Sequence, residues 1–245
     1  MKEPLYAEMA RMEEGHFWFT ARRKILRTIL LKYLGADRRL LVCDLGCGCG
    51  INLRYFGDLY TMAGMDASPH AIRFCRERGL EAKQGSLPDE IPFEPGTFDA
   101  CLMLDVLEHV ERDREAVLAA GRLLKPGGIL LSTVPAGPGL YIGRDAYHGH
   151  KRRYTRRAFQ GLFPEDFFRI RFLSHFNTLL FPLIASWRKA LRKTGRDKAG
   201  PDLFLLAAPL NSLLSFLFSA ERFLLPHFTL PFGLSLIGVA ERKGR

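Results

Sequence analysis

The fold is decided by one stretch of sequence, Val42-Cys43-Asp44-Leu45-Gly46-Cys47-Gly48-Cys49-Gly50. It continues an apolar run that begins at Leu40, and such a run ending in glycines is typical of a buried strand that leads into a helix. Glycine has no Cβ, so the backbone can turn sharply there and approach a ligand closely. The stretch therefore predicts a ligand-binding loop at the carboxyl end of a buried first strand.

Strands and helices alternate on both sides of this loop. We predict helices at 22–34, at about 110–124 and at 155–163, and a further helix that has Ser68 as its N-cap and Pro69 as its first residue. The sequence Lys125-Pro126-Gly127-Gly128 ends the helix at about 110–124. We predict strands at 40–45, 61–66, 80–84, 98–104, 129–134, 169–173 and 234–240. This alternation predicts a doubly wound, mostly parallel seven-stranded α/β sheet with helices on both faces.

The chain divides into four parts. We predict an N-terminal helical cover at 1–36, the α/β core at 37–174, a basic and apolar helical insertion at 175–230, and a closing strand and tail at 231–245. The insertion is far longer than an ordinary loop. Its apolar stretch 203–220 is uncharged, but Pro209 and Asn211 interrupt it, so we expect a buried or interfacial helix there and no membrane span.

The positive charge of the chain is concentrated in one segment. The net charge is +10, and residues 144–198 contain 14 Lys/Arg and 4 Asp/Glu, whereas the remainder contains 22 of each and is neutral. The segment indicates a local anionic partner or, alternatively, a solvated face. The overall composition, 47% hydrophobic and 25% charged, is that of a globular protein and argues against disorder.

The cysteines and the N-terminus both indicate a cytoplasmic protein. The five cysteines are odd in number and lack the spacing of a zinc site, so we expect reduced, packed thiols. Residues 1–23 are charged throughout and lack the apolar segment of a signal peptide. The basic insertion additionally allows a peripheral position at the inner face of the membrane.

The glycine loop does not fit a dinucleotide. The third glycine of that fingerprint would fall at Ile51. Asp44 would repel a pyrophosphate but attract a cationic amine or sulfonium, and Asp66, at the end of the second strand, is placed to bind both hydroxyls of a ribose.

Five short sequence motifs follow one another along the chain. They are Val42–Gly50, Gly64-Met65-Asp66-Ala67-Ser68, Phe98-Asp99-Ala100, Leu107-Glu108-His109-Val110 and Leu123-Leu124-Lys125-Pro126-Gly127-Gly128. Class I S-adenosylmethionine-dependent methyltransferases have such motifs in the same order, and the chain resembles their type 11/23-like bacterial subgroup. The resemblance implies a Rossmann-like methyltransferase fold and S-adenosylmethionine as the cofactor.

The resemblance also implies a set of cofactor-binding residues. These are Gly46, Cys47 and Gly48 at the methionine portion, Asp66 at the ribose, Ala67 beside the adenine, Ser86 and Leu87 at the base, and Leu104 near the methyl group, with Asp44 in the loop. The family often has an acidic residue where Ser86 stands. The segment His16–Arg23 resembles one that precedes the domain in the subgroup, which implies that an arginine, Arg23 or Arg22, binds the cofactor carboxylate and that the segment closes over it. The alternative is an aromatic cluster that docks the helix on the sheet.

Three residues are candidates for proton transfer. Methyl transfer is an in-line displacement that needs a base only for some acceptors. His109 starts a helix after the fourth strand, and His150 and Tyr154 lie in the loop after the fifth. The alternatives are a helix-start residue and an inactive surface loop. The sequence contains no carboxylate constellation, so we predict no metal site.

These observations predict a methyltransferase that acts on an oxygen of a small or lipid-linked, anionic acceptor, such as a saccharide or a prenylated compound. The alternatives are an RNA methyltransferase that uses the basic segment, and a non-catalytic protein that binds S-adenosylmethionine. Nucleic acid is the less favoured partner, because no separate RNA-binding module is recognisable. An anionic membrane surface is a further expected partner of the basic segment.

Overall fold

The computed structural model describes residues 3–194 and 206–244, and a seven-stranded sheet runs through its centre. The strands are β1 Leu41–Leu45, β2 Thr61–Asp66, β3 Ala82–Gln84, β4 Phe98–Leu104, β5 Leu124–Pro135, β6 Phe168–Phe176 and β7 Ser235–Arg242. Their order is β3-β2-β1-β4-β5-β7-β6, with β1 to β5 parallel and β7 antiparallel to both of its neighbours. The predicted fold class is confirmed.

The sheet creates a site because the chain reverses direction across it. From β1 the chain moves outward to β2 and β3, and it then returns to add β4 and β5 on the other side of β1. The loops after β1 and β4 therefore diverge, and a crevice opens between them at the carboxyl ends of the strands. β1 and β4 are buried along nearly their whole length, which explains their continuous apolar sequences.

The helices cover both faces of the sheet. They are α1 Glu3–Met12, α2 Phe17–Tyr33, α3 Ile51–Phe56, α4 Pro69–Glu77, α5 Asp113–Leu123, α6 Gly143–Tyr147, α7 Arg156–Gln160, α8 Phe181–Lys193 and α9 Ala208–Ala220. Short 3-10 turns at 107–109, 138–140 and 221–223 complete the described elements. Among the described residues, no helix has the length and apolar character needed to cross a membrane.

Several boundaries differ from the sequence-based expectation. α2 begins at Phe17, not at residue 22, because His16 caps it by accepting a hydrogen bond from the amide of Trp18 at 3.2 Å. β5 already begins at Leu124, so Lys125–Gly128 forms the first part of that strand, with an irregular register against β4. Ser68 occupies the N-cap position of α4 but makes no side-chain capping hydrogen bond.

α2 is part of the hydrophobic core. Ala21, Ile25, Leu26, Ile29 and Leu30 are at most 1% exposed and pack with side chains of the sheet. Burial on this scale supplies about 1.5–3 kcal/mol for each large apolar side chain. The segment predicted as a cover therefore includes a helix on which the core depends, and the more peripheral part is α1.

The insertion packs on α2 through polar contacts. The amide of Phe17 donates to Asn211 Oδ1 at 2.8 Å, and Thr20 Oγ1 lies 3.1 Å from Ser215 Oγ. At its other end the buried carboxylate of Glu221 accepts hydrogen bonds from the amides of residues 177, 178 and 179. The predicted basic run extends to Arg196 and Lys198, and the apolar stretch begins at Leu203; these three residues lie outside the described part of the chain.

Candidate active site

A cavity of about 810 Å³ lies at the carboxyl ends of β1, β2 and β4. Its walls come from α1, the start of α2, the loops after these strands, the 145–153 loop and α8. All the residues predicted to bind the cofactor line this cavity, except Asp44, which lies beneath the glycine loop and is fully buried. His109 and His150 also line it.

The glycine loop is held in a conformation that favours glycine. Gly46, Gly48 and Gly50 have φ angles of 88°, 54° and 83°. A Cβ on Gly46 would lie 2.5 Å from Val106, which follows β4, so a larger residue would force the two loops apart. The amides of Gly46 and Cys47 donate to the carbonyl of Met65 at 2.7 and 2.9 Å, which fixes the loop against the end of β2.

Asp66 connects the loops after β1 and β2. Its carboxylate accepts hydrogen bonds from the amides of Gly48 at 3.0 Å and Ser68 at 2.9 Å. The hydroxyl of Tyr6, on α1, donates to Asp66 Oδ1 at 3.3 Å. α1 therefore reaches across the crevice and contacts the acid that was predicted to bind a ribose.

The two arginines of the N-terminal segment have different surroundings. Arg22 is engaged: its guanidinium lies 2.8 Å from Asp105 Oδ2, donates to Thr133 Oγ1 at 2.9 Å and covers the ring of Trp18. Arg23 lines the cavity, and its buried Nη1 makes no hydrogen bond to the described residues. Its guanidinium lies 5.5 Å from the ring centroid of Tyr55.

Asp44 is a buried carboxyl group that lacks a full set of partners. Oδ2 accepts a hydrogen bond from Asn52 Nδ2 at 3.2 Å, while Oδ1 has no partner among the described residues. Burial, with a smaller contribution from the charge of Asp66, raises the pKa of Asp44 to about 6. An ionised Asp44 would therefore be stabilised by a cation nearby.

The two predicted catalytic histidines lie side by side, although they are far apart in the sequence. Their rings are 4.9 Å apart between centroids and nearly perpendicular. His109 Nδ1 lies 3.2 Å from the carbonyl oxygen of Gly149, and His150 Nδ1 lies 3.4 Å from Asp145 Oδ1. Partial desolvation in the cavity, assisted by the neighbouring His150, lowers the pKa of His109, so its imidazole is neutral at pH 7.

Tyr154, the third candidate, does not line the cavity. It pairs with Ala136 in an isolated bridge and is 3% exposed. Its hydroxyl lies 2.8 Å from Asp113 Oδ2 and 3.1 Å from the carbonyl oxygen of Leu107. These contacts fix the 145–153 loop to the turn before α5, and they give Tyr154 a positioning role in this structure.

The basic 145–153 loop is neutralised by ion pairs within the protein. Lys151 Nζ lies 2.5 Å from Glu111 Oε2, and Arg152 Nη1 lies 2.9 Å from Asp113 Oδ2. Arg153 and Arg188 both bind the buried carboxylate of Asp145, at 2.5 and 2.9 Å. Four cations thus share three carboxylates, so this loop contributes less to an anionic partner site than its sequence suggests.

The comparisons with known proteins agree with this geometry. Residues 43–132 match the family model described as a methyltransferase domain. That match includes the glycine loop, Asp66 and the Glu108-His109 turn in one continuous segment. Residues 43–132 therefore match a methyltransferase domain.

Curated relatives of the domain include two O-methyltransferases. The chain is 35% identical over 119 residues, 47% of its length, to mouse tRNA (carboxymethyluridine(34)-5-O)-methyltransferase ALKBH8, and the match covers 17% of that protein. It is 32% identical over 127 residues, again 47% of its length, to the ubiquinone biosynthesis O-methyltransferase of Xanthomonas oryzae, and covers 53% of it. The chain thus matches about half or less of each of these relatives.

Solved structures share the fold over nearly the whole chain. An S-adenosylmethionine-dependent methyltransferase from Mesorhizobium loti has a TM-score of 0.59 at 16% identity, covering 89% of this chain and 98% of that one. A chain in the Haloferax volcanii complex that contains the Trm112 methyltransferase activator has a TM-score of 0.63 at 19% identity, with 99% and 96% covered.

S-adenosylmethionine is the cofactor that the sequence resemblance implies for a methyltransferase domain, and the buried groups without partners fit it. Arg23 Nη1 lines the cavity without a hydrogen bond, and Asp44 Oδ1, buried beneath the glycine loop, also has no partner among the described residues. An amino-acid moiety supplies the complementary ammonium and carboxylate groups. Asp66 would hold the ribose hydroxyls, and Ala67, Ser86 and Leu87 line the part of the cavity that lies beyond it.

Sequence reasoning missed three groups of the cavity. Tyr6 lies on α1 and Glu13 directly follows it, and the sequence of this segment carries no motif for them. Glu108 is 0% exposed, and both of its carboxyl oxygens lack a hydrogen-bond partner among the described residues. Its place directly before His109, at the end of a buried strand, was the available signal.

Proposed function

We propose that the protein transfers a methyl group from S-adenosylmethionine to an oxygen of a small or lipid-linked acceptor. The observation that supports this most is the continuity of the cavity. It extends from the cofactor loop, past Leu104 and His109, to Ile184 and Trp187 of the insertion. One space thus includes the proposed methyl donor, two imidazoles and an apolar exit.

The acceptor hydroxyl would meet the histidine pair. A hydroxyl must lose its proton as its oxygen attacks the methyl carbon, and a neutral imidazole is suited to assist this step. The C–S bond then breaks and its electron pair stays on the sulfur. The enzyme's main contribution is to align the two reactants in a dry pocket.

An apolar outer face supports a lipid-linked acceptor. Among the described residues, all exposed large hydrophobic side chains except Leu31 and Tyr147 lie between residues 179 and 232. We use the term apolar outer face for Leu179, Leu183, Trp187, Leu210, Leu213, Phe216, Leu217, Phe223, Leu224, Phe228 and Phe232. A concentration of exposed apolar side chains in one segment of a chain favours a contact with a membrane or a partner.

α9 packs inward through Asn211, Ser215 and the fully buried Phe218. Asn211 and Ser215 contact the start of α2, so Leu213 and Phe216 are left 53% and 70% exposed. On α8 the exposed Lys189, Arg192 and Lys193 lie beside this apolar surface in sequence. Basic and apolar residues together are the pattern of a segment that lies in the interface of an anionic membrane.

Arg188 does not belong to the proposed membrane contact. Its side chain is 12% exposed and is bound to Asp145. The three exposed basic residues of α8 would contribute about 1 kcal/mol each near an anionic leaflet. These observations support our proposal that the protein binds the inner face of the membrane peripherally and reversibly.

Vesicle flotation tests the membrane contact. The protein should float with vesicles that contain anionic lipid, and the bound fraction should fall as the salt concentration rises. The triple variant Lys189→Gln, Arg192→Gln, Lys193→Gln should bind much less, whereas Lys24→Gln, Arg38→Gln, Arg114→Gln, equally reduced in charge, should bind as the wild type does. Equal loss in the two variants would contradict a specific face.

Transfer of a labelled methyl group tests the activity itself. Protein and labelled S-adenosylmethionine are incubated with a total lipid extract, a water-soluble extract or purified tRNA, and the labelled product is recovered. We expect label in the lipid fraction. An RNA acceptor is the second candidate, favoured by the similarity to a tRNA O-methyltransferase, and label in tRNA alone would replace our proposal with it.

A further inference from the structure

Glu108 has no explanation in the chemistry described so far. It lies on the 3-10 turn after β4, is completely buried, and neither of its carboxyl oxygens makes a hydrogen bond to the described residues. A buried carboxyl group without partners is costly, and in native proteins it usually indicates a missing proton donor or cation. Glu108 therefore indicates that a proton donor or a cation binds beside it.

The two imidazoles of the cavity are close to this carboxyl group. One ligand atom from each of Glu108, His109 and His150 lies within 4.8 Å of the other two. His150 Nε2 is 4.0 Å from Glu108 Oε1. Two nitrogens and one carboxylate oxygen are the ligand set of many catalytic metal sites, which keep a further position open.

Outer acceptors fix which nitrogen of each imidazole can bind. His109 Nδ1 donates to the carbonyl oxygen of Gly149 at 3.2 Å, so Nε2 carries the lone pair. His150 Nδ1 faces the Asp145 carboxylate at 3.4 Å, which leaves its Nε2 directed towards Glu108. Metal-binding histidines characteristically hold their second nitrogen against a carbonyl or carboxylate oxygen in this way.

Asp145 is itself fixed by ion pairs. Arg153 Nη2 lies 2.5 Å from its Oδ1 and Arg188 Nη1 lies 2.9 Å from its Oδ2. Its buried carboxylate is thereby held beside His150 Nδ1. This arrangement links the insertion, through Arg188, to the orientation of one imidazole.

We propose that Glu108, His109 and His150 bind a divalent transition-metal ion, with zinc the best match to the ligand set, and that its open position faces the cavity. Ligand atoms about 2.1 Å from a tetrahedral ion lie about 3.4 Å apart. The side chains must therefore move together by about 1 Å from their separations in this structure, which small side-chain rotations allow.

The ion would act on the acceptor, and this role rests on the proposed function. A hydroxyl oxygen bound to the open position loses its proton more readily, because the cation stabilises the resulting anion. The two imidazoles then act as ligands of the ion and not as bases, so the proton leaves to solvent at the cavity mouth. The oxygen then forms its bond to the methyl carbon as the C–S bond breaks, and the site itself requires no oxidant or reductant.

Neighbouring groups are less suited to the role. Asp105 is already paired with Arg22 at 2.8 Å. All five cysteines are buried, and only Cys47 lines the cavity, in the cofactor loop and not beside Glu108. Zinc bound to thiols would therefore indicate a different site, and the experiment must separate the two possibilities.

Metal binding is measured directly on the full-length protein. After treatment with a chelator and removal of the chelator, Zn²⁺ is titrated calorimetrically, and Co²⁺ is titrated while its absorption spectrum is recorded. We expect one ion per chain and cobalt d–d bands without thiolate-to-cobalt charge transfer. Glu108→Gln and His150→Gln should each weaken binding by more than the about 10–100-fold typical of losing an outer partner.

Matched controls keep the result interpretable. His227→Gln, which removes an imidazole outside the cavity, should bind one ion as tightly as the wild type. S-adenosylhomocysteine affinity and the thermal unfolding midpoint report whether each variant is folded. If Glu108→Gln or His150→Gln is not folded by these two measurements, the other of these two variants tests the site.

The outcomes separate this inference from the proposed function. Zinc binding that depends on Glu108 and His150, without methyl transfer to lipid, would sustain the metal site and contradict the acceptor class. Undiminished methyl transfer after chelation, thiolate charge transfer in the cobalt spectrum, or unchanged zinc affinity in Glu108→Gln would each overturn the metal site.

Discussion

The cofactor end and the acceptor end of the cavity are built in different ways. The cofactor end consists of short loops directly after β1 and β2, and its contacts are made by main-chain amides of Gly46, Cys47 and Gly48. The acceptor end is assembled from the Glu108-His109 turn, the 145–153 loop and α8, which are distant in sequence. The first is thus coded locally, whereas the second depends on long-range packing.

This difference explains what could be predicted from the sequence. Asp44, Gly46, Gly48 and Asp66 act through their position at strand ends, and that position can be read from an apolar run followed by glycines. The seven strands and their order of appearance follow from the same periodicity. The positions of these residues at the strand ends were therefore predictable, while their contacts with the cofactor stay predictions.

The acceptor end could not be predicted in the same way. Tyr154 is four residues from His150, but the bridge to Ala136 directs its side chain into the core. Glu108 meets His150 because the 145–153 loop folds back: the amide of Lys151 donates to the carbonyl of Glu108 at 2.8 Å. No local pattern reports a contact over 40 residues.

Substitution of Asp66 tests the predicted role of the cofactor end most directly. Asp66→Ala should weaken binding of S-adenosylmethionine and S-adenosylhomocysteine by about 1.5–3 kcal/mol, roughly ten- to a hundredfold, because a charge-assisted hydrogen bond to the ribose is lost. Calorimetry measures the affinity. Asp58→Ala, which removes an exposed acid paired with Arg27, should bind normally. Unchanged affinity in Asp66→Ala would remove this residue from the site.

The two adjacent arginines sharpen the comparison within one helix. Arg23→Gln should weaken S-adenosylhomocysteine binding about tenfold or more, since its free Nη1 would otherwise pair with the carboxylate. It should leave methylthioadenosine, which lacks the amino acid, unaffected. Arg22→Gln should mainly lower the unfolding midpoint, because Arg22 is bonded to Asp105 and Thr133. Equal losses for both ligands in Arg23→Gln would contradict a carboxylate contact.

Asp44 gives the cofactor end a specific pH dependence. The pKa of Asp44 is about 6 in the folded protein, so cofactor affinity should fall about tenfold per pH unit below that value as the carboxylate is protonated. The contribution of Asp44 to stability has the opposite sign. The folded protein binds this proton more tightly than the unfolded chain does, so Asp44 adds stability as the pH falls from about 6 to about 4.

Calorimetry and thermal unfolding across this pH range test the prediction for Asp44. Asp44→Asn should remove the pH dependence of affinity in this window while leaving the protein folded. If the affinity of the wild type falls only where the protein also unfolds, the loss has a global cause and Asp44 is not responsible.

The smallest expected effect concerns α1, which spans both ends of the cavity. The hydroxyl of Tyr6 donates to Asp66 Oδ1 in the ligand-free structure, so a ribose must displace it. Tyr6→Phe should therefore increase cofactor affinity by a few-fold, corresponding to about 0.5–1 kcal/mol for one hydrogen bond. A loss of affinity in Tyr6→Phe would mean that Tyr6 holds Asp66 in place for the cofactor.

Hydrogen exchange should change in residues 3–12 on cofactor binding. α2 is already buried, so residues 17–33 should be protected equally with and without ligand. A gain of protection in residues 14–26 would instead support the closing segment expected from the sequence.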